Sequence, residues 1–571
     1  MNKSLDRFIT KFGLRKPQNW LYILFSIAAL GSVIYFIIGP QRGYFHSDYT
    51  DSIYWANASI EGKAILNPYF NYAAILPFSS NLWLIPLILI FGMNYATHTA
   101  GMVIFAIVFF ASLLFLSSRL GMKGIWRMTF IVASFLLLSG SEKLREMIWG
   151  HVIYYSMSIL FIVIGLGLTI DYLSGKKERI TMILLAFLTI GIAMDGVQII
   201  ALTVIPIAGG ILLERFFDNS AKLRDDSTKR AIKITVFLVA MTLVGLAVLS
   251  IITGFGRIRA DYANAYSTYA DSERWFLNVL AIPSNMLSLY VDKMAGGKSI
   301  ISVETVFLFF RVAGMCIINI LPFGLLLAYR KINDRVLRIL VFTHAVNAGI
   351  IFFLVTFGTL GNVNWRLIPI LGTAVITSIY GLKWFFEGKG LASKPENDGP
   401  KPDKAAHYAG AFSTTRKRVA MLGLSILLLS SCLTAGKLYA MPFDYGRDNT
   451  IHQLTDYLKS RDLEYGFATF WQSQAITLLS DNEVRTRCVQ VDNEGVHIRT
   501  YQSDVRWYED QSGVDRYFIL LDNNEFNLVQ YSSEWVDLEP IIEEVAEPTP
   551  GFKAIILRDN PWKYIDLDEE K

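Results

Sequence analysis

Long apolar runs separated by short polar turns fill the first three quarters of the chain. They fall near 20–39, 97–117, 125–140, 152–170, 180–194, 197–213, 232–254, 301–329, 336–357, 367–386 and 419–440. Most approach the roughly 20 residues that carry a helix across a hydrocarbon core. The pattern predicts a polytopic α-helical membrane protein with about eleven transmembrane helices. A further apolar stretch, 81–92, is too short to cross and reads as a re-entrant or interfacial segment. Lys3, Arg7, Lys11, Arg15 and Lys16 precede the first run, which lacks a small-residue cleavage site, so an uncleaved first span is expected.

After residue 441 the pattern changes. A helical stretch at 449–460 is followed by short β-rich runs at 465–470, 484–491, 516–521 and 552–557, with helical pieces between them, 472–479 being the clearest. This predicts a small C-terminal α/β domain of about 125 residues, large enough for its own core. The expected organisation is a short N-terminal segment (1–19), a membrane domain (20–386) whose first long loop is 40–96, a Gly/Pro/Lys-rich linker (387–418), a last span (419–440) and the α/β domain (441–571). No internal repeat is visible, whereas many transporter folds are built from repeated halves.

Composition agrees with the pattern. Of 571 residues, 53% are hydrophobic and only 18% charged, which excludes a disordered chain, an ordinary soluble enzyme and a nucleic-acid-binding tail protein. The distribution of charge says more than its sum. With the N-terminus cytoplasmic, the inside segments carry 29 Lys and Arg and the outside loops of the membrane part carry 10. The imbalance predicts a multi-pass protein of the plasma membrane with the linker inside and residues 441–571 extracytoplasmic. Three cysteines are too few for a disulfide framework.

Polar residues at the ends of spans are costly and ask for a reason. Here they gather on the expected outer face: His46, Asp48 and Asp51 after the first span; Glu142, Lys143, Arg145, Glu146 and His151 between the third and fourth; Asp195 and Gln198 between the fifth and sixth; Arg257, Arg259 and Asp261 after the seventh; Asn362, Asn364 and Arg366 before the tenth. The sharpest feature is the loop around Asp48 and Asp51. Residues 48–62 are expected to be helical, with Asp48 as N-cap and Asp51 at the third helical position, so that both carboxylates share a face. Two readings stand side by side. The acids cap a surface helix, or they supply a general base with a second acid orienting it or holding a divalent cation. Arg366 is either a snorkelling anchor or a clamp for a lipid phosphate. His151 reads as a hydrogen-bonded interface histidine or as a site residue.

Asp48 and Asp51, the proline-led passage Pro77-Phe-Ser-Ser-Asn-Leu-Trp-Leu-Ile-Pro86 ending in Phe91-Gly92, and Arg366-Leu-Ile-Pro369 together resemble the GT-C superfamily of membrane glycosyltransferases, in particular its protein O-mannosyltransferase and aminoarabinose transferase types. The resemblance covers roughly residues 20–386. Two departures stand out: the acids are separated by two residues rather than adjacent, and the tail carries no sequon-recognition motif. The resemblance implies an inverting transferase that moves a sugar from a polyprenyl-phosphate-linked donor to an extracytoplasmic glycan, lipid or protein. Asp48 and Asp51 would then be catalytic, and His46, His151, Asp195, Arg257, Asp261, Asn364 and Arg366 would bind substrate. The lipid bilayer is the expected surrounding, and a divalent cation is left open. Two alternatives remain at this level: a transporter or flippase of envelope lipid precursors, for which Arg311 within a span is the main support, and an inactive scaffold of a glycan-assembly complex.

Overall fold

The computed structural model describes residues 17–72, 83–152, 154–218, 225–254, 257–258, 268–291, 299–359, 361–388 and 403–565. Every expected apolar run coincides with a helix. Among the described residues nine helical segments are long and apolar enough to cross a membrane: Pro17–Ile38, Tyr95–Arg119, Tyr154–Leu173, Val197–Phe216, Asp226–Thr253, Val303–Leu327, Arg335–Phe357, Asn364–Glu387 and Thr414–Ala440. The two remaining runs form shorter helices, Ile125–Ser139 and Glu178–Met194. At 1.5 Å per residue these fall short of a core of about 30 Å. The first of them compensates by burial, since nearly every side chain from Met128 to Ser139 is shielded by neighbours.

The bundle is layered by exposure. In Asn364–Glu387 and Tyr154–Leu173, 94% and 89% of the apolar window is buried, so these helices form the centre. In Asp226–Thr253 and Val303–Leu327 the figures are 22% and 17%, which leaves them as the lipid-facing rim. Without a hydrophobic driving force between helices in lipid, close backbone approach carries the packing. Gly210 illustrates it: a Cβ there would lie 2.8 Å from the Thr343 backbone nitrogen and 2.9 Å from its Cα. At the end of the same helix Glu214, fully buried, is paired with Arg215, with Arg335 at 3.3 Å and with Arg338 at 2.8 Å, which ties this helix end to the start of Arg335–Phe357. Arg311, the charge within a span, is taken up by the carbonyl of Gly140.

The C-terminal domain contains a six-stranded sheet in the order Val496–Ile498, Arg485–Val491, Tyr465–Thr469, Tyr517–Asp522, Phe552–Leu557, Ile542–Thr549. Tyr465–Thr469 runs parallel to both its neighbours, and the outer pairings are antiparallel. Four strands match the expected β-rich runs. Ile542–Thr549 escapes the pattern because it is an edge strand with Glu543, Glu544 and Glu547 along it, the kind of charge that protects an exposed edge.

The domain is clamped to the loop that follows the first span. The Tyr35 hydroxyl donates to the carbonyl of Met441 (2.7 Å), Asn449 Nδ2 to that of Gly43 (2.7 Å), and Tyr44 stacks on Tyr445 with centroids 5.0 Å apart. The ends of the first and last spans therefore lie together, and the domain stands on the same side of the bundle as residues 40–72. Gly210→Ala is expected to force Val197–Phe216 and Arg335–Phe357 apart at a cost of about 1–3 kcal/mol. A lower Tm of the purified protein in detergent, with Gly349→Ala (no neighbour within 4 Å of its Cβ) as the neutral control, checks this.

Candidate active site

Residues 47–61 fold differently from the expectation. Ser47–Thr50 is a 3₁₀ turn and the α-helix begins at Asp51, running to Glu61. Neither aspartate caps it with its side chain. The reason is tertiary. The Thr50 hydroxyl donates to Oε1 of Gln474 (2.7 Å), and the Ala475 N–H donates to the Ser47 hydroxyl (3.3 Å), so the first turn is drawn onto the C-terminal domain and tightened. In a 3₁₀ turn positions three apart eclipse one another, so Asp48 and Asp51 still face the same way.

Their surroundings differ. Asp51 is 7% exposed and its Oδ1 accepts a 2.8 Å hydrogen bond from Nε2 of Gln502, a fully buried side chain of the C-terminal domain. Burial, and next the charge of Asp48, push the Asp51 carboxyl well above its ordinary range, against the pull of the Gln502 hydrogen bond. Gln502 is itself held: its backbone N–H donates to the Asn71 carbonyl (3.1 Å) and its carbonyl accepts from Gln474 Nε2 (3.1 Å). Asp48 is half-buried and accepts no hydrogen bond among the described residues.

Beside them lies a second cluster. His46 Nε2 and His151 Nε2 are each 3.6 Å from Glu146 Oε1, and Lys143 Nζ is 2.6 Å from Glu146 Oε2. Burial raises the Glu146 carboxyl, but the His151 and His46 imidazoles facing it, with the charge of Lys143, overcome this and hold it well below the usual range. Residues Glu146–Gly150 form a π-turn, closed by the His151 N–H donating to the Glu146 carbonyl (3.1 Å). That geometry puts positions five apart in line, which is how Glu146 and His151 come to face one inner space. Ligand atoms of His46, Glu146 and His151 lie within 4.8 Å of one another, so these three can hold a metal ion. Two imidazoles and a carboxylate suit zinc, and the buried Nδ1 of His46 and Nε2 of His151 meet no hydrogen-bond partner among the described residues. Lys143 occupies the same carboxylate and would have to move.

Lys143 links this cluster to the late loop, its Nζ lying 5.0 Å from the ring centroid of Trp365. The neighbouring Arg366 is half-buried; its Nη1 donates to the Gly361 carbonyl (2.9 Å) and the Tyr155 hydroxyl lies against its guanidinium. Asn364 does not turn its amide toward Arg366: Nδ2 donates to the Ser288 hydroxyl (2.9 Å). Asn362 pairs with Asn285 (2.8 Å) and the Asn278 carbonyl, so both asparagines clip the amphipathic helix Ser272–Ser288 to the loop.

The other expected site residues stand apart. Asp195 sits in the turn before Val197–Phe216, buried, with neither oxygen partnered among the described residues; burial pushes its carboxyl well up. No contact among the described residues joins it to the histidine cluster. Arg257 pairs with Asn71 in a two-residue parallel bridge, and Asn71 also exchanges backbone hydrogen bonds with Gln502 and Ser503. Asp261 and Arg259, with residues 77–82 of the proline-led passage, lie outside the described residues.

The opposed shifts make a test. Asp51 binds its proton more tightly folded than unfolded, so its contribution is present at acid pH and is lost as pH rises from its ordinary value of 3.8 through its raised one. Glu146 is the reverse: its contribution is present above its ordinary value of 4.5 and is lost as pH falls. In thermal melts across pH 4–8 (roughly the range in which carboxylates titrate), Asp51→Asn is expected to gain on wild type as pH rises. Glu146→Gln is expected to be destabilised by a constant amount from neutral pH down to the ordinary value of 4.5 and to approach wild type only in melts carried below it.

No protein-family model and no curated protein sequence matches the chain. Solved structures match in shape. ArnT from Cupriavidus metallidurans bound to undecaprenyl phosphate aligns with a TM-score of 0.50 at 10% identity, over 95% of this chain and 98% of that one. The apo state of the same protein gives 0.46 at 12% identity, over 94% and 97%. Archaeal oligosaccharyltransferase AglB from Archaeoglobus fulgidus gives 0.42 at 14% identity, over 82% of this chain and 64% of that one. The first match takes in the spans, the loop after the first span and the C-terminal domain together, and on that mutual coverage the chain shares the fold of that ArnT structure.

Proposed function

We propose that the protein is a membrane glycosyltransferase that moves a sugar from a polyprenyl-phosphate-linked donor to an acceptor hydroxyl on the extracytoplasmic side. The observation that carries this reading is a series of contacts from His46, in the acidic loop, to Trp365, the residue before the late arginine. His46, two residues before Asp48, meets Glu146, Glu146 meets Lys143, and Lys143 lies over Trp365, next to Arg366. This polar strip supports a reading in which Asp48, two residues after His46, is the base and Arg366, next to Trp365, is the phosphate-binding cation. The fold it shares with an ArnT bound to undecaprenyl phosphate supports the lipid class of the donor.

Burial divides the labour between the acids. Asp51, shielded and pushed toward its neutral form, is suited to fixing the loop through Gln502. Asp48, half-buried and without a hydrogen bond among the described residues, is suited to taking a proton. The acceptor oxygen bonds to the anomeric carbon as the bond from that carbon to the phosphate oxygen breaks. The electron pair of the broken bond leaves with the polyprenyl phosphate, the acceptor proton passes to Asp48, and the anomeric configuration inverts. Arg366, poorly solvated, stabilises the charge gained by the phosphate. The transporter reading loses its main support, because Arg311 is taken up by the Gly140 carbonyl.

Asp48→Asn is expected to cut transfer by ~100-fold or more with folding intact, whereas Asp51→Asn, which keeps a neutral group of the same shape, retains more activity than Asp51→Leu. Equal activity of wild type and Asp48→Asn would remove the base. Binding of undecaprenyl phosphate to the purified protein, followed by native mass spectrometry, should weaken roughly 10-fold in Arg366→Ala and less in Arg366→Lys, which keeps charge but loses the planar fork. Unchanged binding in both variants would remove Arg366. For the orientation, Cys488 is buried in the central sheet and cannot report. Tyr531, 85% exposed, can: in intact cells Tyr531→Cys is expected to react with a membrane-impermeant maleimide, and a cysteine placed in the linker at Ser393 only after permeabilisation.

A further inference from the structure

The polar strip has an indole at each end, and only one of them is explained by the donor. Trp365 adjoins Arg366. Trp471 comes from the C-terminal domain, on the helix Phe470–Leu479, and its ring centroid lies 5.6 Å from that of His46 at an interplanar angle of 70°. Every later residue of that helix from Ser473 on is buried, yet Trp471 is 57% exposed. Leaving so much of an indole in water forgoes about 1.5–3 kcal/mol of burial, although the domain has a full aromatic core within reach. The ring is also stiffly mounted. Phe470 packs edge-on against it (5.3 Å, 72°) and against Tyr501 (5.8 Å, 66°), and the Arg499 guanidinium lies 4.7 Å above Phe470. A large apolar face, fixed in orientation and left open beside a polar strip, is preorganised for a ligand that is itself part apolar and part hydroxylated.

We propose that Trp471 is the platform for a sugar ring of the acceptor, so that the acceptor is a glycan. The inference rests on the transferase reading and deepens it by naming the acceptor class. The face of an indole carries excess negative charge and favours the weakly positive C–H bonds on one face of a pyranose, while the hydroxyls at the ring edge turn toward His46 and Asp48. A lipid acceptor would call for an apolar channel, and a peptide would call for backbone hydrogen-bonding partners. At Trp471 the flanking groups are instead an imidazole, a guanidinium and aromatic rings. Because Trp365 and Arg366 take the donor end, Trp471 places the acceptor sugar at the opposite end, beside His46, two residues before the proposed base.

The full-length protein, labelled with 5-fluorotryptophan and held in lipid nanodiscs, gives a fluorine resonance for Trp471 that is assigned by its loss in Trp471→Phe. Maltotriose, mannotriose and chitotriose at about 10 mM, a concentration suited to weak stacking contacts, are expected to shift that resonance. A Ser/Thr-rich peptide is expected to leave it in place. Trp471→Ala should weaken saccharide binding ~10-fold and Trp471→Phe less, both with undecaprenyl phosphate binding unchanged. No shift with any of the three saccharides, a shift with the peptide alone, or broadening of the resonance by a spin label at the lipid headgroup (the signature of a membrane anchor) would each overturn the proposal. Failure of the transferase reading is seen separately: the wild-type protein then does not bind undecaprenyl phosphate, whatever the saccharides do.

Discussion

The contact on which the site depends is the buried hydrogen bond from Gln502 to Asp51, made between residues 451 positions apart. A carboxyl stripped of water is tolerated only if a partner satisfies it, and the membrane domain supplies none among the described residues. The partner comes from the C-terminal domain, whose chain at 502–505 runs along 69–71 of the first loop, with Gln502 and Asn71, Ser503 and Asn71, and Val505 and Tyr69 joined through their backbones. Asn67 adds a 3.0 Å bond to Asp504. The domain is thus not a tethered appendage; the loop carrying the acids is completed by it. A clash or a lost partner at this seam would leave Asp51 buried and unsatisfied, which costs more than the bond itself contributes.

A second constraint is electrostatic. Glu146 collects two imidazoles and an ammonium group around one carboxylate, and this compensation permits a charge in a largely dry position. The same arrangement joins three separate loops: His46 from the first, Lys143, Glu146 and His151 from the second, and, through Lys143 and Trp365, the segment before the last central helix. Gly150 is part of the device. A side chain there would run into the Tyr49 ring, which packs against His151 at 5.0 Å. Glycine lets the π-turn press the histidine against the first loop.

The two asparagines near Arg366 show how a residue type consistent with phosphate binding serves packing instead. Asn362 and Asn364 face the helix Ser272–Ser288, whose opposite side exposes Phe276, Leu277 and Leu280. An amphipathic helix lying at a membrane surface needs a polar attachment to the bundle, and these amides provide it. Arg366 keeps its place because Gly361 and Tyr155 hold its guanidinium from two sides.

The sequence by itself determined the class, the helical runs and most strands of the tail, because span length and two-residue alternation are local properties that each segment expresses alone. It also singled out Asp48, Asp51, His46, His151 and Arg366, since charge at a span end is conspicuous wherever it lies. Only the tertiary structure decided how they are grouped. Glu146 and His151 are five apart, a spacing that falls on one face only in a π-turn, so no helical template flags them as a pair. Gln502, Gln474 and Trp471 sit in a domain whose own pattern speaks of a sheet and its helices, and nothing local marks two glutamines as partners of a distant loop. The different environments of Asp48 and Asp51 follow from what covers each of them. Burial is a property of the assembled fold, and two aspartates three positions apart acquire it only when the C-terminal domain closes over one and leaves the other open.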